Sequence, residues 1–156
     1  KAALQAAKTQ GVRTVLNTAP LIAEAAELAQ LADIVIANET EFELLVGREA
    51  LTSEQREEML LQMHKDTGQI LIITLGAEGV VAAEGGSLHR TKGLKIEPVD
   101  TVGAGDTFCG YLAASLDAGL ALGEALRRAA VAGSLACLKA GAQPSIPDAG
   151  EVAAAL

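Results

Sequence analysis

Aromatic side chains are almost missing from this chain: Phe42, Phe108 and Tyr111 are all it has, and tryptophan does not occur. Base stacking on a single strand needs aromatic platforms, so a groove for nucleic acid is not expected, and any adenine pocket has to be aliphatic. Basic residues are also short, 12 Lys and Arg against 20 Asp and Glu for a net charge of −8, and they form no cluster. That argues again against nucleic acid as a partner. Cysteine is limited to Cys109 and Cys137, both in apolar helical patterns without C-x-x-C spacing. The pattern reads as reduced, buried thiols, not a disulfide framework or a zinc site. No apolar run reaches the roughly 18 residues that cross a bilayer, and no charged-then-apolar leader opens the chain. The expectation is a soluble, cytoplasmic protein with no membrane partner. The chain lacks an initiating methionine and begins inside a helical pattern (Ala2, Ala3, Leu4, Ala6, Ala7), which suggests a piece of something longer.

What is present is apolar: half of the 156 residues, enough for one domain with a sizeable core. Helical and extended patterns alternate from the start, the mark of an α/β layered fold with a mainly parallel sheet. Strands are expected at 13–17, 33–37 and 70–75, the last a doubly buried run. After the turn at 76–79, shorter runs at 80–83, 87–90 and 94–99 are expected to form a meander on the sheet edge. Helices are expected at 21–31, from Asn38 to Gly47, from a Thr52/Gln55 capping box to about Lys65, and at 107–118, 122–139 and 148–155. The alanine-rich helices read as tightly packed. His64 and His89 lie far in sequence from every motif and are expected at the surface.

The segment Asp100-Thr101-Val102-Gly103-Ala104-Gly105-Asp106-Thr107-Phe108 joins an extended stretch to an apolar helix. Unpaired N–H groups and the positive end of the dipole favour an anion at such a helix start, and Gly103 and Gly105 let a phosphate approach the backbone. Asp106 would be repelled by that phosphate, which makes sense if it takes a proton from an attacking hydroxyl. The plainer alternative is that Asp106 caps the helix and the glycines make a turn. The loop is neither a Walker A loop, lacking Gly-Lys-Ser/Thr, nor a dinucleotide fingerprint, since Phe108 stands where the third glycine belongs.

Three further segments fall at strand or helix ends. Asn38 and Glu41 share one face of a first turn, where they either hold a hydrated Mg²⁺ or form a capping box. Thr74-Leu75-Gly76 serves either a turn or a nucleotide phosphate. Residues 139–145 read as an irregular loop with carbonyls free for a cation, or as a helix ended by Gly141.

Together Asn38-Glu39-Thr40-Glu41, Thr74-Leu75-Gly76, the 100–106 loop and Lys139-Ala140-Gly141-Ala142-Gln143-Pro144-Ser145 resemble the ordered signatures of the ribokinase (PfkB) family of carbohydrate kinases. The resemblance covers essentially the whole chain. Asn17-Thr18-Ala19-Pro20 and the 139–145 ending, here with Ala140 inserted before Gly141, point to members that convert D-ribose to ribose 5-phosphate. Fructokinase, ketodeoxygluconate kinase and nucleoside kinase activities remain alternatives, as does a non-catalytic nucleotide or sugar-phosphate binding module. The resemblance implies a layered αβα fold and ATP-dependent phosphorylation of a sugar hydroxyl. Asp106 would be the base and Gly103, Ala104 and Gly105 the anion hole. Asn38 and Glu41 would act on Mg²⁺ and phosphate through water, and Thr74, Leu75, Gly76, Ala77, Glu78 and Gly79, with Gly105 and Asp106, would line the nucleotide. It also implies K⁺ at Asp100, Val102, Ala136, Lys139, Gly141 and Ser145, and a homodimer at full length. Family members are about twice this length, and their N-terminal half carries most sugar contacts and the lid. The chain is therefore expected to be the nucleotide-binding half, lacking a sugar site of its own.

Overall fold

The computed structural model describes residues 1–156, which divide by their contacts into two compact units, 1–75 with 81–89 and 76–80 with 90–156. The first unit opens on helix α1 (Ala2–Thr9), which buries no residue, and continues through β1 (Val15–Asn17), α2 (Ala23–Ala29), β2 (Ile34–Asn38), α3 (Glu39–Val46), α4 (Ser53–Thr67) and β3 (Ile70–Thr74). Strands β1, β2 and β3 pair in parallel, with Asn17 opposite Ile36 and Asn38 opposite Thr74. Their carboxyl ends therefore lie along one edge, the edge at which open α/β sheets bind ligands. The sheet is completed in the order β1-β2-β3-β4-β5 by β4 (Val80–Glu84) and β5 (Ser87–Thr91). The β3–β4 connection is too short for the crossover that parallel strands require, and β4 and β5 meet at Gly85-Gly86, both at positive φ.

The apolar runs behave as their patterns foretell. Ile34, Val35, Ile36 and Ala37 are all buried, as are Leu71, Ile72 and Ile73. Val35, Ala37, Leu71 and Ile73 pack with Phe42 and Leu60 into the unit's core. Thr52 and Gln55 form the expected capping box on α4, and Gly47 and Gly68 end α3 and α4 in the left-handed conformation. His64, expected at the surface, is half-buried and has both ring nitrogens engaged: Nδ1 is 2.7 Å from the Gln69 carbonyl, and Nε2 accepts the Gly86 N–H at 3.1 Å.

The second unit is helical: α5 (Ala104–Asp117), α6 (Leu122–Ala136) and α7 (Ala149–Ala155). Alanines 125, 129, 130, 132 and 136 of α6 are buried. At Gly133 a Cβ would lie 3.3 Å from the Ala104 carbonyl, so α6 and the start of α5 approach closely. Two expectations fail here. Residues 94–99 form no strand, because the Leu94 N–H goes to Ser134 Oγ on α6 (3.0 Å) and the Val99 and Asp100 N–H groups go to the Cys137 carbonyl. Helix α5 also begins three residues early, with Gly103 as its N-cap.

Candidate active site

The early start of α5 decides that Asp106 is not its cap. Gly103, at φ 79°, caps the helix without a side-chain bond, Ala104 and Gly105 open it, and Asp106 is its third residue. Asp106 is also exposed. The first intrahelical bond runs from the Thr107 N–H to the Gly103 carbonyl at 2.8 Å, so the N–H groups of residues 103–106 precede the helix ladder. Of these, the Ala104 N–H makes a long bond to the Thr101 carbonyl at 3.3 Å. A Cβ on Gly103 would meet Ala142 Cα and Cβ at 3.0 Å, whereas a Cβ on Gly105 would meet nothing within 4 Å. Gly103 is therefore required by the fold, and Gly105 has open space where a side chain would stand.

Asp100 ties this loop to the 139–145 segment. Its Oδ1 accepts the Val102 N–H at 3.0 Å and its Oδ2 accepts the Gly141 N–H at 2.9 Å. The Gly141 bond foremost, then that of Val102, holds the carboxyl below its ordinary range. Ser145 is fully buried and donates to the Ala142 carbonyl at 2.7 Å. The Tyr111 hydroxyl on α5 donates to the Pro147 carbonyl at 2.7 Å, and Lys139 Nζ lies 3.1 Å from Glu151. Burial foremost, then Asp148 and Glu151, raises the Tyr111 hydroxyl above its usual range. Asp100, Val102, Gly141 and Ser145 thus belong to one interlocked pair of loops. Their donors are all oxygens, one carboxylate with carbonyls and a hydroxyl, a set that suits hard cations. Ala136 ends α6, and its carbonyl accepts the Lys139 N–H at 3.4 Å.

In the first unit the two readings of Asn38 and Glu41 meet. They do form the capping box: Asn38 Oδ1 accepts the Glu41 N–H at 2.9 Å, and Glu41 Oε2 accepts the Asn38 N–H at 3.0 Å. The buried Thr18 hydroxyl lies 3.3 Å from the same Oε2. The box uses one oxygen of each residue, so Glu41 Oε1 stands outside it. No group of three or more His, Cys, Asp or Glu residues comes together to hold a metal. An amide and one remaining carboxylate oxygen fit a Mg²⁺ that keeps its waters, not a dry protein cage. Thr74 lies opposite Asn38 in the sheet, and its hydroxyl reaches toward the Ala37 carbonyl at 3.5 Å. Beyond Leu75, Gly76–Glu78 form a single 3₁₀ turn of Gly76, Ala77 and Glu78. It closes on Gly79, whose φ of 102° and contact with the Thr91 carbonyl leave no room for a side chain.

Residues 1–149 match the model of the pfkB family carbohydrate kinases. The chain belongs to the pfkB family. Its pfkB relatives include the ribokinases of Haemophilus influenzae, 38% identical over 93% of this chain and 47% of that protein, and of Staphylococcus aureus, 39% identical over 93% and 48%. The fructokinase of Escherichia coli is 34% identical over 76% of this chain and 39% of its own length. The pfkB fold is shared with Arabidopsis thaliana ribokinase, solved with ribose and ATP, at a TM-score of 0.86 and 33% identity over 97% of this chain and 49% of that one. The chain spans about half the length of the curated relatives it matches.

Sequence reasoning missed the buried Arg56 beside the Asn38–Glu41 turn, since a lone arginine in a polar helix carries no signal of burial. It also missed the Thr107 hydroxyl, buried without a hydrogen-bond partner directly after Asp106.

Proposed function

We propose that this chain is the nucleotide-binding and catalytic half of an ATP-dependent sugar kinase, acting on D-ribose to form ribose 5-phosphate. The observation that carries the reading is the start of α5, where an exposed carboxylate, Asp106, stands among N–H groups that precede the helix ladder. Asp106 takes the proton of the attacking sugar hydroxyl as its oxygen bonds to the γ-phosphorus. The bond from that phosphorus to the bridging oxygen breaks, and ADP leaves. The N–H groups of Gly103, Ala104 and Gly105 neutralise charge on the transferring phosphoryl group, Ala104 by giving up its long bond to Thr101. Magnesium, when bound, supplies charge neutralisation on the polyphosphate. Asn38 and Glu41 meet it through water, and Thr74, Leu75 and the 76–79 turn lie along the nucleotide. Asp100, Val102, Ala136, Lys139, Gly141 and Ser145 hold a monovalent cation, K⁺, that stiffens the loop carrying the anion hole. The full-length protein is a cytoplasmic homodimer.

A second sugar, fructose, is favoured by the similarity to a fructokinase. One experiment addresses base and substrate together. In the full-length protein, with ribose and fructose assayed in parallel, Asp106→Asn lowers kcat by roughly 10²–10⁴ on the true substrate while ATP still binds. A normal kcat on both sugars would remove Asp106 as the base.

A further inference from the structure

Two costs meet in one corner of the first unit. Arg56 on α4 is 8% exposed, and its Nε is enclosed without an acceptor. Ala50, between α3 and α4, has φ 55°, in the left-handed region that a residue with a Cβ avoids. Both belong to one network. Arg56 Nη2 lies 3.0 Å from Glu39 Oε1 and 3.8 Å from Glu43 Oε1, and it donates to the Leu51 carbonyl at 3.3 Å. The Glu43 carboxylate in turn accepts the N–H groups of Ala50 at 3.2 Å and Leu51 at 3.0 Å.

Glu39 and Glu43 stand one helical turn apart, so a single guanidinium spans the first turn of α3. Asn38 immediately precedes that turn, and Glu41 lies within it. The nearest pair joins a buried guanidinium to a half-exposed carboxylate, a weak source of stability, because solvent screens the attraction while the guanidinium still bears the cost of leaving water. A network that also leaves Nε unpaired and holds Ala50 in a strained conformation is poorly suited to stability alone. Its effect is to fix the direction in which α3 begins.

We propose that Arg56 is a positioning residue for the Asn38–Glu41 turn: through Glu39 and Glu43 it holds the start of α3, so that Asn38 and Glu41 meet hydrated Mg²⁺ in one geometry. The inference rests on the proposed role of Asn38 and Glu41 and adds a residue that touches neither metal nor nucleotide.

The test uses the full-length protein and two variants. Glu39→Gln removes the nearest charged partner at a half-exposed position, so the fold is not at risk. Arg56→Lys keeps the charge but loses the planar fork. Two quantities are read: hydrogen exchange of the Asn38 and Glu41 amides without nucleotide, and the free Mg²⁺ that gives half-maximal rate at saturating ATP. Each variant is expected to speed exchange at both amides and to raise the Mg²⁺ requirement on the order of tenfold, with kcat at saturating Mg²⁺ little changed. The double variant should be no worse than the worse single one, since both break one link. Faster exchange with an unaltered Mg²⁺ requirement would reduce Arg56 to a structural role, and no change in either would overturn the proposal outright. Glu41→Gln separates the two layers. If it moves the Mg²⁺ requirement and the other variants do not, only Arg56's role falls. If it moves nothing, the metal role of the turn itself is wrong.

Discussion

Gly103 and Gly105 stand two residues apart in one motif and do different work. Gly103 needs its missing side chain twice, for a φ of 79° and for the 3.0 Å approach of Ala142. Alanine there adds the left-handed penalty of about 1–2 kcal/mol and a contact with backbone that has little room to move. Gly105 is helical, and a side-chain carbon there would meet nothing within 4 Å. Gly105→Ala should therefore fold with wild-type stability to within about 0.5 kcal/mol, helped by alanine's better helix propensity. Gly103→Ala should lose roughly 2 kcal/mol or more in urea denaturation of the full-length protein. If the open space at the Gly105 side-chain position receives a phosphate, the stable variant is the one that binds ATP worse, on the order of tenfold, because a methyl group displaces the anion. Unchanged ATP affinity in Gly105→Ala would mean that the phosphate does not approach there.

At the scale of elements, the departure at residues 94–99 has a cause that can be tested. Gly93 sits against Ser134 so closely that a Cβ would overlap its Oγ, and that same oxygen accepts the Leu94 N–H while donating to the Ala130 carbonyl at 2.9 Å. Gly93→Ala should destabilise by about 1–3 kcal/mol through overpacking, and Ser134→Ala by about 1 kcal/mol through the lost bonds. The double variant should be much less than additive, because removing Oγ clears the space that the new methyl group needs. Additive losses in a denaturation cycle would show that the segment is held elsewhere. Such a contact, from residue 94 to a helix forty residues later, leaves no trace in local pattern, so the apolar run at 94–99 reads as a strand. The elements legible in the sequence owe their form to local physics: β2 and β3 to continuous apolar runs, α4 to the Thr52/Gln55 box, α3 to Asn38 and Gly47. The start of α5 is hidden because two glycines look like a turn, although one of them caps the helix and the other lies inside it. The motif residues are legible in kind, and Asp106 as a non-capping residue emerges only from that corrected start.

At the scale of the whole molecule, three carboxylates act as acceptors that hold the chain together, and each is depressed by its bonds. Asp33 takes the Thr14 hydroxyl and N–H, both at 2.7 Å, and the hydroxyl contributes most. Asp100 takes the Gly141 N–H foremost, and Glu151 takes the Asp148 N–H foremost, at 2.8 Å, followed by Lys139. A carboxylate with a lowered folded pKa contributes stability that is fully present above its unfolded value, about 3.9 for Asp and 4.3 for Glu. That contribution is lost as pH falls through the folded value. An opposing effect acts higher up: with a net charge of −8 and an isoelectric point near 4.7, protonation of surface carboxylates first relieves repulsion. Below that point the charge turns positive, and repulsion and lost bonds act in the same direction. Amide exchange at Thr14, Gly141 and Asp148 should therefore stay protected down to about pH 4 and lose protection together below it. Asp33→Asn should weaken Thr14 alone at neutral pH and flatten its acid response, since the titrating acceptor is gone. Loss of protection at all three amides already at about pH 5 to 6, above the ordinary carboxylate range, would mean that these three acceptors do not set the acid limit of the fold.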